Sequence, residues 1–232
     1  MSIEKVRTGI DMRERIILET IARVSLIGPT SFNVKDVCNE LGISNSLINH
    51  HFGNRDRMLA EITERVYREY VTQIWQISDD AGPDNIDRLR AWIYASLAWD
   101  FEHPGWALLL NYPVASMEIT AAIDEHHHLS MRRWAEYNLG RLVLLVKDVR
   151  NGTHTEFSWL PGDQPTATIL DDPLVNSLAS SVGWATHGLA VWQSGRHLPT
   201  SSGIPELTTI EETLKHQHVE RIIRLVINET QY

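Results

Sequence analysis

The stretch from Ser44 to Arg55 gathers side chains suited to hydrogen bonding rather than to bond breaking. Ser44, Asn45, Ser46, Asn49, His50 and His51 crowd together, with Lys35 before them and Arg55 after. An asparagine amide pairs bidentately with the N6/N7 edge of adenine, and a serine hydroxyl donates or accepts at several base edges. Lysine and arginine neutralise phosphates, and histidine adds hydrogen bonds to a sugar–phosphate backbone. Phosphate contacts set position while base contacts select sequence. The chemistry of this segment is that of reading a duplex.

Other clusters point to chemistry less well. Glu125-His126-His127-His128 has metal-ligand residue types. Consecutive helical residues point roughly 100° apart, so three adjacent histidines do not share one tetrahedral centre. The reading is a solvated, partly pH-sensitive surface, and neither metal nor cofactor is expected. Asp100, Glu102 and His103 form the nearest approach to an acid/base set, as an all-α enzyme would need, but without a recognised mechanistic spacing. Trp92, Trp99 and Trp106 recur at intervals of seven, with Trp75 and Trp134 beside them. Such residues either fill a helical core or wall an aromatic cavity for a small, largely apolar molecule. The candidate pocket comprises Trp92, Trp99, His103, Trp106, Met117, Trp134 and Tyr137.

The elements that must position these groups are helices. Ile16, Ile17, Ile21, Val24 and Ile27 keep three- and four-residue spacing over 12–27, and Gly28-Pro29 ends that helix. Asn33 caps a short helix over 34–41, Gly42 supplies a left-handed turn, and Ser44 caps a third helix over 45–51. Val34, Val37, Leu41, Ile43, Ile48 and Phe52 would form a small core against Ile17, Ile21 and Val24. Two short helices joined by a tight glycine turn make a helix-turn-helix, whose second helix enters the major groove. After Gly53-Asn54 a long helix spans about 55–78, marked by Leu59, Ile62, Val66, Tyr70 and Ile74. A turn at 81–84 precedes helices over about 85–101, 105–115 and 118–147. A loop over 150–171 and helices over 173–194 and 206–229 complete an all-α chain, with a Ser/Gly/Pro-rich connection at 199–205. Three regions are expected: a DNA-binding domain at 1–54, a connecting helix at 55–80 and a helical domain at 81–232.

The net charge of −9 is unsuited to nucleic acid as a whole, but its distribution is uneven. Residues 1–60 carry +1 and the remainder −10. A near-neutral head can still gather its cations on one face. The single cysteine, Cys38, forms no intramolecular disulfide, the N-terminus carries no apolar signal region, and no apolar run is long enough to span a bilayer. The expectation is a soluble cytoplasmic protein without membrane association.

Residues 13–62 resemble the DNA-binding head of the TetR family of bacterial repressors. The matching residues are Arg15-Ile16-Ile17-Leu18, Gly28, Asn33 to Cys38, Leu41-Gly42-Ile43-Ser44, His51 to Asp56, and Leu59. Asn49 stands where the family usually has Tyr, Arg55 where Lys is common, and Cys38 where Ala is usual. The resemblance implies a regulator whose residues from about 80 onward bind a small molecule and dimerise. Helices 173–194 and 206–229 would build a four-helix bundle with a second copy. Two heads would then bind a pseudo-palindromic operator, and an effector in the C-terminal domain would release it. A regulator answering to a protein partner is the alternative that keeps the same head.

Overall fold

The structure is a computed structural model that describes residues 11–111, 121–122, 125, 127–157, 160–161, 172–194 and 206–228. The described elements are α1 (Met12–Ser31), α2 (Val34–Leu41), α3 (Asn45–Phe52), α4 (Arg55–Asp80), α5 (Asn85–Glu102), α6 (Pro104–Asn111), α7 (His128–Asn151), α8 (Pro173–Ser194) and α9 (Glu206–Asn228). No strand occurs among the described residues, and no helix there is long and apolar enough to cross a membrane. The chain is all-α. It groups into two compact units. One takes the chain up to Tyr67 together with His103–His128, and the other takes Arg68–Glu102 with Leu129 onward. The long α4 gives its first half to one and its second half to the other.

In the first unit, α1 packs on α2 and α6. Its buried stripe is Ile16, Ile17, Thr20 and Val24, continued by Gly28 and Pro29. Ile21, expected in the core, is only half-buried, and Ile27, which continues the apolar spacing, is 45% exposed. The cause is at Gly28. Its backbone leaves the helical region at φ 74°, kinking α1, and the helix resumes through Ser31 rather than ending at Gly28-Pro29. Gly105 of α6 approaches that kink so closely that a β-carbon on it would collide with the Val24 carbonyl. The stripe position after Val24 is Gly28 itself, where the positive φ favours glycine, and Ile27 stays on the flank.

Salt bridges tie α1 to α4 within this unit. Arg13 binds Glu61, and Arg65 donates to Glu14 at 2.7 Å. The Arg65 hydrogen bond holds the Glu14 carboxyl below its ordinary range. Beneath them, Met58, Leu59 and Ile62 are buried, each contributing about 1.5–3 kcal/mol by leaving water.

In the second unit, α5 packs on α8 and α9. Asp84 caps α5, its carboxylate accepting from the amides of Ile86 and Asp87. Leu89, Trp92, Ile93, Leu97 and Trp99 of α5 are buried, as are Val175, Leu178 and Val182 of α8 and Val219, Ile222, Ile223 and Val226 of α9. The guanidinium of Arg90 donates to Glu220 at 2.8 Å, which lowers the Glu220 carboxyl and raises Arg90. Helix α7 runs to Asn151, and Thr153 and Thr155 then fold back to hydrogen-bond Asp148, so the irregular segment begins just past the expected boundary. The connection at 199–205 lies outside the described residues.

Two measurements check this packing. Gly105→Ala forces α6 off α1, and the expected loss is about 1–3 kcal/mol, the usual scale of overpacking, read as a lower urea midpoint at unchanged slope. Glu14 has a folded-state pKa below its unfolded one, so its stabilisation is present above the unfolded value of about 4.3 and is lost as pH falls. The stability advantage of the native chain over Glu14→Gln is therefore expected to shrink on acidification through that value.

Candidate nucleic-acid interface

The reader segment starts from local turn chemistry. The Asn33 carboxamide accepts from the Lys35 amide at 2.9 Å, satisfying one open donor of α2. Gly42 closes α2 at φ 65°, a left-handed position that glycine adopts without strain. The Ile43 amide donates back to the Cys38 carbonyl at 3.0 Å, which completes the turn. Ser44 takes the N-cap position of α3, but its hydroxyl makes no cap to the backbone. It shares a 2.7 Å hydrogen bond with the Ser46 hydroxyl instead. The expected Ser44 side-chain cap is thus replaced by a serine pair on the surface.

Helix α3 has eight residues, too few to be stable alone in water. Packing supplies what length cannot. Ile48 is fully buried and Phe52 nearly so, along with Val37 of α2 and Ile17 and Val24 of α1. The Arg13 guanidinium lies 4.8 Å from the centre of the Phe52 ring. Val34, Leu41 and Ile43 border this core half-buried.

With Ile48 and Phe52 turned inward, Ser44, Asn45, Ser46, Asn49 and His50 are exposed. Asn45 and Asn49 stand four residues apart, as do Ser46 and His50, so they share one flank of the helix. Lys35 is exposed on α2, and His51 is half-buried with its ring against His50 and Phe52. Helix α3 contains no acidic residue.

Arg55 has partners within the protein. Its guanidinium donates to the Pro29 carbonyl at 2.6 Å and to Asp56 at 2.8 Å, and it lies over the Phe32 ring. The last turn of α1 leaves carbonyls without helical partners, and Arg55 answers one of them. Sequence reading missed Arg57, which is half-exposed on the first turn of α4, its side chain beside Gly53 and its guanidinium 3.8 Å from Glu125. The signal was present: Asn54 caps α4 by accepting from the Arg57 amide, which places Arg57 at an open helix start.

The candidate pocket residues belong to both units. Trp106 and His103 belong to the first unit, where the Trp106 Nε1–H donates to the Ile21 carbonyl at 3.0 Å. In the second unit Trp92 packs on Trp75, whose own Nε1–H donates to Asn138. Trp99 packs on Tyr70 with ring centres 4.6 Å apart. Trp134 and Tyr137 meet edge to face, and Trp134 lines an open groove of about 530 Å³ with Thr72, Gln76 and Ile77. Met117 lies outside the described residues. Arg141, also unforeseen, is buried between Trp75 and Phe157, and one of its guanidinium nitrogens donates to both carboxylate oxygens of Asp79.

No group of three or more potential metal ligands occurs among the described residues. His127 donates to Glu64 at 2.8 Å, and His126 lies outside the described residues. Of the acidic cluster, Asp100 is buried and pairs with His187, Glu102 is exposed, and His103 falls in the other unit.

Over 79 residues the chain is 30% identical to the HTH-type transcriptional regulator BetI of Stenotrophomonas maltophilia, covering 34% of this chain and 40% of that protein. Over 142 residues it is 26% identical to the nucleoid occlusion factor SlmA of Vibrio campbellii, covering 60% of this chain and 70% of that one. The chain thus spans two fifths of the first relative and under three quarters of the second. A bacterial regulatory protein in the tetR family from Rhodococcus RHA1 superposes with a TM-score of 0.55 at 15% identity, covering 93% of this chain and 96% of its own. No protein-family model matches the chain.

An arginine that seals the head has a testable signature. Arg55→Ala leaves the Pro29 carbonyl short of a charged donor, and a stability loss of about 1–3 kcal/mol is expected. It should appear in chemical unfolding of the DNA-free protein, where loss of a mere phosphate contact would leave no trace.

Proposed function

The chain has the fold of the TetR-family regulators, and on that premise we propose that it is a ligand-responsive transcriptional repressor that binds a pseudo-palindromic operator as a homodimer. The observation that carries this reading is the division of α3: Ile48 and Phe52 are held in the core while Asn45, Ser46, Asn49 and His50 are exposed. A short helix fixed from behind with amides and hydroxyls in front suits the floor of a major groove. Lys35, Ser44, His51 and the added Arg57 supply phosphate contacts around it, while Arg55 acts by keeping the α1–α4 junction in shape.

A single eight-residue reader gives little affinity, and two heads on one palindrome multiply it. Helices α8 and α9 carry exposed apolar side chains suited to a second copy. Trp184 is 69% exposed, Leu174 47% and Leu225 51%. Trp184 lies ten residues beyond Leu174, with Ser177 and Ser181 exposed between them at helical spacing. Small residues along α8 permit close helix approach in a four-helix dimer interface.

Residues 1–54 then read DNA, 55–80 connect, and the helices from 81 onward bind effector and dimerise, apart from the 103–128 segment that packs in the head's unit. Helix α5 ends at Glu102 and α6 begins at Pro104, so a ligand that displaces α5 pulls directly on the chain that abuts the Gly28 kink. Coupling of this kind is worth ~1–3 kcal/mol, or about 5- to 150-fold in operator affinity.

Three substitutions separate the parts of this reading in binding titrations on DNA flanking the gene. Asn45→Ala should cost about 1–3 kcal/mol and relax base preference, whereas Lys35→Ala should weaken all sequences alike and reduce the salt slope by about one. Trp184→Glu should yield a monomer by light scattering and lose operator affinity while keeping a folded head. A dimer unmoved by Trp184→Glu would overturn the α8 assignment.

A further inference from the structure

Trp92, Ser96 and Asp100 stand four residues apart on α5, which sets them in one row with a rise of ~6 Å between successive members. All three are buried, at 1%, 0% and 1% exposure. Trp92 Nε1, Ser96 Oγ and Asp100 Oδ1 have no hydrogen-bond partner among the described residues. Buried polar atoms in folded proteins are nearly always answered, and each that is not calls for an explanation. A single such atom is unremarkable; three in register on one helix face, ending in a carboxylate, form a pattern.

The surroundings of Asp100 narrow the chemistry. Its other oxygen, Oδ2, accepts from His187 Nδ1 at 2.8 Å. His187 is 18% exposed, so this end of the row reaches towards the surface. One turn earlier on α8, Gly183 has no atom within 4 Å of where a β-carbon would stand. The Tyr70 ring faces both Trp99, at 4.6 Å, and His187, at 6.3 Å. Asp100 thus sits at the edge of an aromatic cluster on α4, α5 and α8.

We propose that this row is the effector-contacting wall of the body, and that the effector is a small elongated organic cation. The inference rests on the effector reading above and names the chemistry of that site. A carboxylate oxygen only accepts, so the end of the ligand at Asp100 must donate. A protonated amine or amidinium donates and also balances a buried carboxylate, and neighbouring aromatic faces favour it. Trp92 Nε1–H only donates and Ser96 can do so, so the ligand carries an oxygen acceptor ~6–12 Å from its cationic end, the spacing set by the helix rise. Between the two lies an apolar chain in contact with aromatic rings. An anionic ligand is repelled at Asp100.

The test uses the full-length protein and three probes of one length: 5-amino-1-pentanol, pentane-1,5-diol and 5-hydroxypentanoate. Binding is read by calorimetry and by tryptophan fluorescence, to which Trp92 and Trp99 contribute. The amino alcohol is expected to bind at least tenfold more tightly than the diol, with the carboxylate weakest. Asp100→Asn should remove that preference, and Ser96→Ala should weaken the amino alcohol several-fold while leaving a shorter alkylamine unaffected. The Ser96 variant decides the matter should Asp100→Asn fail to fold. No binding of the amino alcohol at millimolar concentration, equal binding of all three probes, or an Asp100→Asn variant that keeps the preference would each overturn the proposal. Operator release is scored separately. Amino alcohol binding without release supports the site and contradicts its coupling to DNA. Release by an anionic compound that does not compete with the amino alcohol supports the regulator and overturns this assignment.

Discussion

Everything in the helix-turn-helix depends on burying one side of a helix that is too short to exist alone. Eight residues cannot offset the cost of helix nucleation in water. Ile48 and Phe52 bring α3 into the core formed by α1 and α2, and Arg13 covers the Phe52 ring. Once that side is fixed, the direction of every other side chain follows from the helical period. Asn45 and Asn49 come out on one flank because Ile48 and Phe52 go in. The exposed amide and hydroxyl surface of α3 is therefore a consequence of core packing and is only as rigid as that core.

The core is itself held by a backbone event elsewhere. The kink at Gly28 lets α6 approach α1 at Gly105, frees the Pro29 carbonyl, and places Arg55 to cap it. One glycine in an unusual conformation thus connects the helix-turn-helix to a segment more than seventy residues further along the chain. The body is organised differently. Its apolar contacts are spread along α5, α8 and α9, yet α5 also carries a buried polar row that apolar packing alone does not require.

What could be read from the sequence was what is decided locally. Asn33 and Gly42 announced the turn because capping and left-handed backbone are properties of single residues. The buried face of α4 followed from apolar spacing, and Leu59, Ile62, Val66, Tyr70 and Ile74 are all buried. What could not be read was decided by distant partners. Ser44 has the right type for a cap, but a neighbouring hydroxyl claims it. Arg55 has the right type for a phosphate anchor, and its hydrogen bond to a carbonyl 26 residues away could not be read beside it. The seven-residue spacing of Trp92, Trp99 and Trp106 did not reveal the helix break at His103, beyond which Trp106 belongs to a different unit. The polar row escaped notice because Ser96 carries no signal of its own, and the Asp100–His187 pair spans 87 residues.

The central claim is that α3 reads a DNA sequence, and the most direct measurement is fluorescence anisotropy of the full-length protein on DNA flanking its gene, at physiological salt with excess non-specific competitor. The account predicts a complex at least a thousandfold tighter on one pseudo-palindromic segment than on shuffled DNA, the lower range for specific readers, with the Asn45→Ala variant losing that discrimination. Equal affinity for both DNAs, or discrimination that survives the loss of Asn45, Ser46 and Asn49 together, would contradict it.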